Sequence, residues 1–396
     1  MIQISPETQL FIREHSSDDV RTLALQAKKY PDINMPTAIT QIAGRQVAAE
    51  KIPSWREIEE IWYPKHLSLE QCSSEITARY KARLFQGDSL TDLTGGFGID
   101  CSFLATGFKS ATYVERQEEL CEIAAHNFPI LNLNHINVRN EDGVAYLQTM
   151  SPVDCIFLDP ARRNEHGGKT VAISDCEPNV AELEALLLSK ANRVMIKLSP
   201  MLDLSLALKE LKHTQEIHIL SVNNECKELL ILLRQTSPAE IAIHCVNLLT
   251  KGTQEEQHLV FTREQEQRSQ CTYTDSLGNY LYEPNASLLK AGAFRSIAAA
   301  YPVRKLHPNS HLYTSDSFIE NFPGRIFRIV NQCSFNKKEV KENLADLKKA
   351  NVTVRNFPAT VAELRKRLHL TEGGDTYLFA STLNNGQKVL IRCEKV

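Results

Sequence analysis

The 396-residue chain predicts a doubly wound α/β fold with a smaller α+β module at its C-terminal end. Three observations carry the prediction. Between residues 88 and 235, short apolar runs alternate with helical patterns in regular succession. The run 153–158 is apolar almost throughout, as in strands buried on both faces of a parallel sheet. From residue 321 onward a new β-α-β-α-β-β order begins.

Residues 1–66 read as a helical region, in which Ser16-Ser17-Asp18-Asp19 caps the run 20–30 and Pro36 opens a helix toward Glu50. Trp55 and Trp62 are expected to pack this region onto the sheet. The stretch 67–85 keeps helical spacing up to Gly87 and predicts a single helix. Strands are then predicted at 90–93, 111–114, 136–139, 153–158 and 193–198. The helices between and after them fall at 100–106, 118–128, from Gly143 onward, at 179–190 and at 204–211. Strands 217–222 and 229–233 close the series as an antiparallel pair turned by Asn223-Asn224. Right-handed crossovers place ligands at the carboxyl ends of such strands. Farther on, 241–249 and 258–262 read as a hairpin and 286–301 as one helix. The terminal module is read as strands 326–333, 352–357, 377–382 and 388–393 with helices 337–350 and 359–368. Asn384-Asn385-Gly386 turns its last pair. The expected division is 1–66, 67–240, a connecting α+β region 241–320, and 321–396.

The composition, 42% hydrophobic and 23% charged without repeats, is that of a globular protein. No apolar run approaches bilayer length, and a membrane partner is not expected. The first residues lack the charged-then-apolar order of a secretion signal. Ten scattered cysteines, none in a Cys-x-x-Cys pair, read as reduced thiols of a cytoplasmic protein. The twelve histidines are read as forming no ligand set, so no metal is expected. The net charge of −3 conceals an asymmetry: residues 321–396 hold 14 Lys+Arg against 7 Asp+Glu, a balance of +7. A basic end on an acidic body suits a polyanionic partner.

The chemistry concentrates in Asp92-Leu93-Thr94-Gly95-Gly96-Phe97-Gly98-Ile99-Asp100. Three glycines let the backbone take positive φ and lie against a ligand. Against the dinucleotide fingerprint G-x-G-x-x-G, the third position falls on Cys101, which weakens the pyrophosphate reading. Acids follow the next strands as well. Glu115, at a strand's carboxyl end, suits the two ribose hydroxyls of a nucleoside. Asp142, before Gly143, suits an exocyclic amine of adenine, and Asp159-Pro160 ends the fourth strand.

This set resembles class I S-adenosylmethionine-dependent methyltransferases over roughly residues 68–235. The resemblance implies a Rossmann-like, seven-stranded sheet and S-adenosylmethionine as cofactor. It assigns cofactor contacts to Asp92, Thr94, Gly95, Gly96, Gly98, Asp100, Glu115, Asp142, Gly143 and Asp159. Across the whole chain, LEQCSSEITARYKA, DLTGGFGID, LDPARR, IKLSPMLD, NNECKELL and YEPNASLLKAG are similar to bacterial members with a C-terminal THUMP-like domain. THUMP domains bind RNA in several modifying enzymes, which implies an RNA substrate. The phosphate contacts would be Lys337, Lys338, Lys341, Lys348 and Lys349 on the module's first helix and Arg365, Lys366 and Arg367 on its second.

Asp159, Pro160 and Arg162 are the expected catalytic residues. Amino-methylating relatives carry Asp/Asn-Pro-Pro followed by an aromatic; here Ala161 and Arg162 take the last two places. Asp159 suits acceptance of a hydrogen bond from an amine, and Arg162 or Arg163 suits a phosphate or a base face. The fifth strand ends in Lys197-Leu198-Ser199-Pro200, without the cysteine that carbon methylation requires, which favours a nitrogen acceptor. Lys197 and Ser199 share the rim, and the segment 164–175 reads as a loop over it. Methylation of a small molecule or a protein, or RNA binding without catalysis, are the alternatives.

Overall fold

The structure, a computed structural model, describes residues 4–162, 172–236, 238–252 and 255–396. The chain forms two compact units, Met1–Gln215 with Leu230–Ser237, and Glu216–Leu229 with Pro238–Val396.

In the first unit, helices α1 (Pro6–Glu14), α2 (Val20–Leu25) and α3 (Met35–Lys51) are capped by Ser5, Asp19 and Asn34. Each cap side chain accepts an otherwise orphaned backbone N–H. The α2 helix stops short of the expected 20–30, and Ala27–Lys29 form a 3₁₀ turn. A short α4 (Pro53–Arg56) carries Trp55, whose ring meets Phe97 of the glycine turn edge-on at 5.3 Å. Trp62 stacks on His126 at 3.6 Å, and Asn127 brackets its backbone through both amide atoms. Both tryptophans pack the helical region, but onto the glycine turn and the helix Glu118–Ile130 rather than onto the strands of the sheet.

The helix predicted over 67–85 is instead two, α5 (His66–Gln71) and α6 (Glu75–Leu84). The chain is extended at Cys72 and Ser74. That break turns Ser73 inward toward Asp100, a partner helical periodicity does not reveal.

Strands β1 (Gly87–Asp92), β2 (Phe108–Glu115), β3 (Ile136–Asn140), β4 (Val153–Leu158) and β5 (Ala191–Leu198) form a parallel sheet. Their order, β5-β4-β1-β2-β3, is one run of a nine-stranded sheet, two strands more than the expected seven. Helices α7 (Ile99–Ala105), α8 (Glu118–Ile130), α9 (Gly143–Thr149) and α10 (Val180–Lys190) connect successive strands, and α11 (Leu204–Glu210) follows β5. Asp92 registers with Tyr113 and Phe157, so the carboxyl ends of β1, β2 and β4 share one rim. The reversal of order beside β1 makes this rim the crevice where α/β sheets bind ligands.

Strands β6 (Thr214–Val222) and β7 (Glu225–Leu233) form a hairpin, of which Thr214, Gln215 and residues 230–233 belong to the first unit and the rest to the second. Asn223 and Asn224 both take positive φ, +48° and +70°, the geometry of the expected two-residue turn. Next come β8 (Ala242–Leu248), parallel to β6, and β9 (Glu256–Phe261), antiparallel to β8, with helix α12 (Arg263–Arg268) after them. The two strands supply the predicted hairpin.

A seven-stranded sheet then comprises β10 (Tyr280–Pro284), β11 (Arg304–Lys305), β12 (Tyr313–Ser315), β13 (Gly324–Ser334), β14 (Asn351–Val354), β15 (Thr376–Thr382) and β16 (Lys388–Lys395). Its order is β11-β12-β10-β13-β16-β15-β14, so pairing of β10 with β13 carries it across residue 320. The single helix expected at 286–301 is two, α13 (Ala286–Ala291) and α14 (Phe294–Ala300). Gly292, at φ +76°, ends the first as a left-handed cap. Helix α15 (Lys337–Leu344) is shorter than the predicted 337–350, and α16 (Val361–Leu368) is held by a Thr360–Glu363 capping box.

Candidate cofactor and catalytic site

The glycine turn leaves β1 at Asp92 and enters α7 through Gly98. Gly96 (φ +55°) and Gly98 (φ +87°) occupy backbone that side chains resist. Gly95 has a different reason: a Cβ there would stand 2.2 Å from the Tyr113 ring. The tyrosine hydroxyl in turn donates to the Gly96 carbonyl. The turn is thus moulded on a buried ring of β2, which a plain strand-to-helix connection does not need.

Three carboxylates support it. Glu115 accepts the Gly96 and Gln117 N–H groups, each at 2.9 Å. Asp92 accepts the Thr94 N–H at 3.0 Å through Oδ1, while its buried Oδ2 has no hydrogen-bond partner among the described residues. Burial, together with the charges of Asp100, Asp159 and Glu115, pushes the Asp92 carboxyl well above the usual range, outweighing the Thr94 bond. Thr94 also ties the turn to β4, its Oγ1 accepting the Asp159 N–H at 2.6 Å.

Asp100 is the centre of a network that spacing alone does not announce. Its Oδ1 lies 3.0 Å from Lys81 Nζ, and its Oδ2 accepts Ser73 Oγ–H at 2.7 Å. Lys81 is fully buried and also donates to Ser73 Oγ at 3.0 Å. Lys197 reaches Asp100 Oδ2 at 3.8 Å and bonds Asp159 directly. Burial works to raise the Asp100 carboxyl, but the two lysines and Ser73 together hold it below its ordinary value. Two buried cations beside five rim acids, Asp92, Asp100, Glu115, Asp142 and Asp159, leave the site acidic.

Of the residues expected at the site, Asp92, Thr94, Gly95, Gly96, Gly98, Asp100, Glu115 and Asp159 meet at the β1, β2 and β4 ends. Asp142 is exposed and caps α9, accepting the Val144 and Ala145 N–H groups at 3.0 Å. Gly143 passes so close to Leu93 that a Cβ would sit 2.1 Å from its carbonyl oxygen. Pro160 is buried. The backbone of Ala161-Arg162 forms a short antiparallel pair with Cys176-Glu177. Arg163 and most of the expected covering loop, including Gly167-Gly168-Lys169, lie outside the described residues. Ser73 and Lys81 are the members that sequence reasoning missed. The signal was present as Ser-Ser before a helix whose Lys81 falls at an inward position.

In the second unit, Lys337, Lys338, Lys341, Lys348, Lys349, Lys366 and Arg367 are exposed. Lys348 and Lys349 stand beyond the end of α15 rather than on it. Arg365 pairs with Glu372 at 3.1 Å and Arg367 covers the Phe335 ring at 4.0 Å. None of the ten cysteines forms a disulfide, and no helix among the described residues is long and apolar enough to cross a membrane.

The comparisons with known proteins fall on this framework. Residues 324–395 match the family described as THUMP domain-like, and residues 280–323 the one described as a ferredoxin-like domain. The chain is similar to a Porphyromonas gingivalis W83 protein named "putative methyltransferase", with 34% identity, full coverage of both chains and a TM-score of 0.86. The chain belongs to this methyltransferase family. Smaller likenesses link the methyltransferase to an rRNA methylase from Streptococcus thermophilus (13% identity, 40% of this chain and 94% of the other, TM-score 0.31). Another is to SMU.1697c, named a "putative methyltransferase" from Streptococcus mutans in complex with SAH (12% identity, 40% and 96%, TM-score 0.30). No curated protein matches the chain by sequence.

Proposed function

We propose that this methyltransferase transfers the methyl group of S-adenosylmethionine to a nitrogen of an RNA base. The observation that carries the cofactor is the buried Asp92 Oδ2, which has no partner among the described residues and lies among further rim acids. An acceptor without a donor is costly unless a ligand supplies one. An acidic rim suits a cationic sulfonium nucleoside and opposes a pyrophosphate, in line with Cys101 at the third fingerprint position. Asp92, the turn 94–98, Glu115 and Asp142 would hold the nucleoside. When bound, it supplies an electrophilic methyl carbon.

The chain's own residues then have defined tasks. Thr94 fixes the Asp159 backbone, and Lys197 bonds the Asp159 side chain and holds it in place. Asp159, with a side chain 35% exposed, presents that carboxylate to accept a hydrogen bond from an amine and orient its lone pair. Pro160 is buried beside it and stiffens the strand end. Arg162, three residues after Asp159, would contact a substrate base or phosphate. Cysteine chemistry has no support: burial pushes the Cys155 and Cys72 thiols up to about 11, away from the reactive thiolate. The exposed lysines of the THUMP-like region support a polyanionic substrate, contacting phosphates without reading sequence.

Incubation of the full chain with tritiated-methyl S-adenosylmethionine and total cellular RNA tests the proposal. Counts should enter RNA with wild type and vanish with Asp159→Ala. Counts entering protein or small molecules instead reassign the substrate; none in any fraction contradicts the activity.

A further inference from the structure

Outside this site, three neighbouring strands of the second unit bring chemistry-bearing side chains to one sheet face. His218 on β6 and His244 on β8 are register partners across parallel strands, and Glu216 lies two residues before His218 on the same face. On β9, His258 pairs with Val246 while Val260 pairs with His244, which puts His258 on that face diagonally from His244. The His218 and His244 rings stack at 4.3 Å. Glu216 Oε2 lies 3.3 Å from His218 Nε2 and 3.9 Å from His244 Nε2. The far side of the His244 ring turns its Nδ1 to His258 Nε2 at 3.2 Å.

We propose that Glu216, His218 and His244 form a binding site for a divalent transition metal, zinc being the natural occupant, with His258 as its outer partner. One donor atom from each of the three lies within 4.8 Å of the others. Around a tetrahedral zinc with bonds of about 2.0–2.2 Å, neighbouring ligand atoms stand about 3.3–3.6 Å apart. The Glu216–His218 spacing already meets this, the His244 ring needs to close by a fraction of an ångström on Glu216, and the two histidine donors, within 4.8 Å of each other, need to close by about 1 Å at most.

The protonation chemistry agrees. A metal takes the neutral imidazole. With Nδ1–H donated to His258, the Nε2 lone pair of His244 points toward Glu216 and His218. An outer acceptor on the second ring nitrogen is the usual means of fixing a metal-bound histidine. Two histidines and one carboxylate leave a fourth tetrahedral position, and the face opens to solvent at Glu216, whose side chain is 40% exposed. The spacing of these residues along the sequence conceals the set, since its members come from separate strands. The one pair spaced like helix-borne ligands, His307 and His311, lies on a loop and is otherwise engaged. His307 Nδ1 accepts the Asn309 N–H, and His311 stacks on Phe294.

The test is calorimetric titration of zinc chloride into the untagged full chain after chelator dialysis. One equivalent should bind, and cobalt(II) in its place should give tetrahedral d–d absorption without a thiolate charge-transfer band. His258→Phe should keep the stoichiometry and weaken binding by about 10–100-fold. His244→Ala should lose the equivalent altogether. Glu216→Gln alters a partly exposed side chain and should lose it while circular dichroism and melting stay those of wild type. Wild type that takes up no zinc overturns the site. So does uptake that survives both His244→Ala and Glu216→Gln, or a thiolate band with cobalt.

Discussion

Replacing Lys81 by Met removes one charge from the buried network and leaves the hydrophobic stem nearly intact. In the native protein, the ammonium is fully buried 3.0 Å from Asp100 Oδ1. Without it, Asp100 keeps, among the described residues, the Ser73 hydroxyl and Lys197 at 3.8 Å, and Lys197 is shared with Asp159. Breaking a buried pair by removing one partner costs about 3–5 kcal/mol. For a unit of this size, about 2–4 °C of Tm is lost per kcal/mol, so melting should fall by about 6–20 °C. The pH dependence gives a second reading. With Asp100 held below its ordinary value, wild type draws stability from this carboxyl above the unfolded pKa of about 4 and loses it as pH falls through the lower folded value. In Lys81→Met, desolvation outweighs the remaining partners, and the folded value rises above the unfolded one. Acidification through that window then relieves the variant instead of harming it. Thermal melts of both proteins between neutral and acid pH measure this, and adding Asp100→Asn should recover most of the loss. A Lys81→Met protein within about 1 kcal/mol of wild type, with unchanged acid behaviour, refutes the network argument.

Other outcomes follow from the same geometry. Gly95→Ala drives a methyl into the Tyr113 ring at 2.2 Å and should cost about 1–3 kcal/mol in denaturant unfolding, along with cofactor binding. Reversing Lys337, Lys338 and Lys341 to Glu should weaken RNA binding. If each lysine neutralises one phosphate, it should also lower the slope of log affinity against log salt by about 0.7 per contact on single strands. Unchanged affinity and slope in filter-binding assays give those lysines another role.

The parallel sheet and its rim were legible because their signals are local. Apolar runs mark β1 to β5, and each acid sits within a few residues of a strand end. Glycines mark the turn because positive φ is written in residue type. What escaped was long-range pairing. Ser73 and Lys81 find Asp100 across 27 and 19 residues of sequence, and the break between α5 and α6 exists to make that contact. Gly292 splits a helix that periodicity alone would continue, and Lys348 and Lys349 leave α15 because the chain turns to bridge Thr371. Asp142 was placed correctly at the strand end, yet its carboxylate also caps α9.

The most direct measurement is calorimetry of S-adenosylmethionine with wild type and Asp92→Asn, paired with melting of both free proteins. Loss of a buried charge held well above its ordinary pKa should make the free variant more stable by about 0.5–2 kcal/mol. Loss of a charge-assisted hydrogen bond, worth about 1.5–3 kcal/mol, should weaken the nucleoside by about tenfold or more. A variant that binds as tightly as wild type, or a wild type that evolves no heat, contradicts the assignment of the rim.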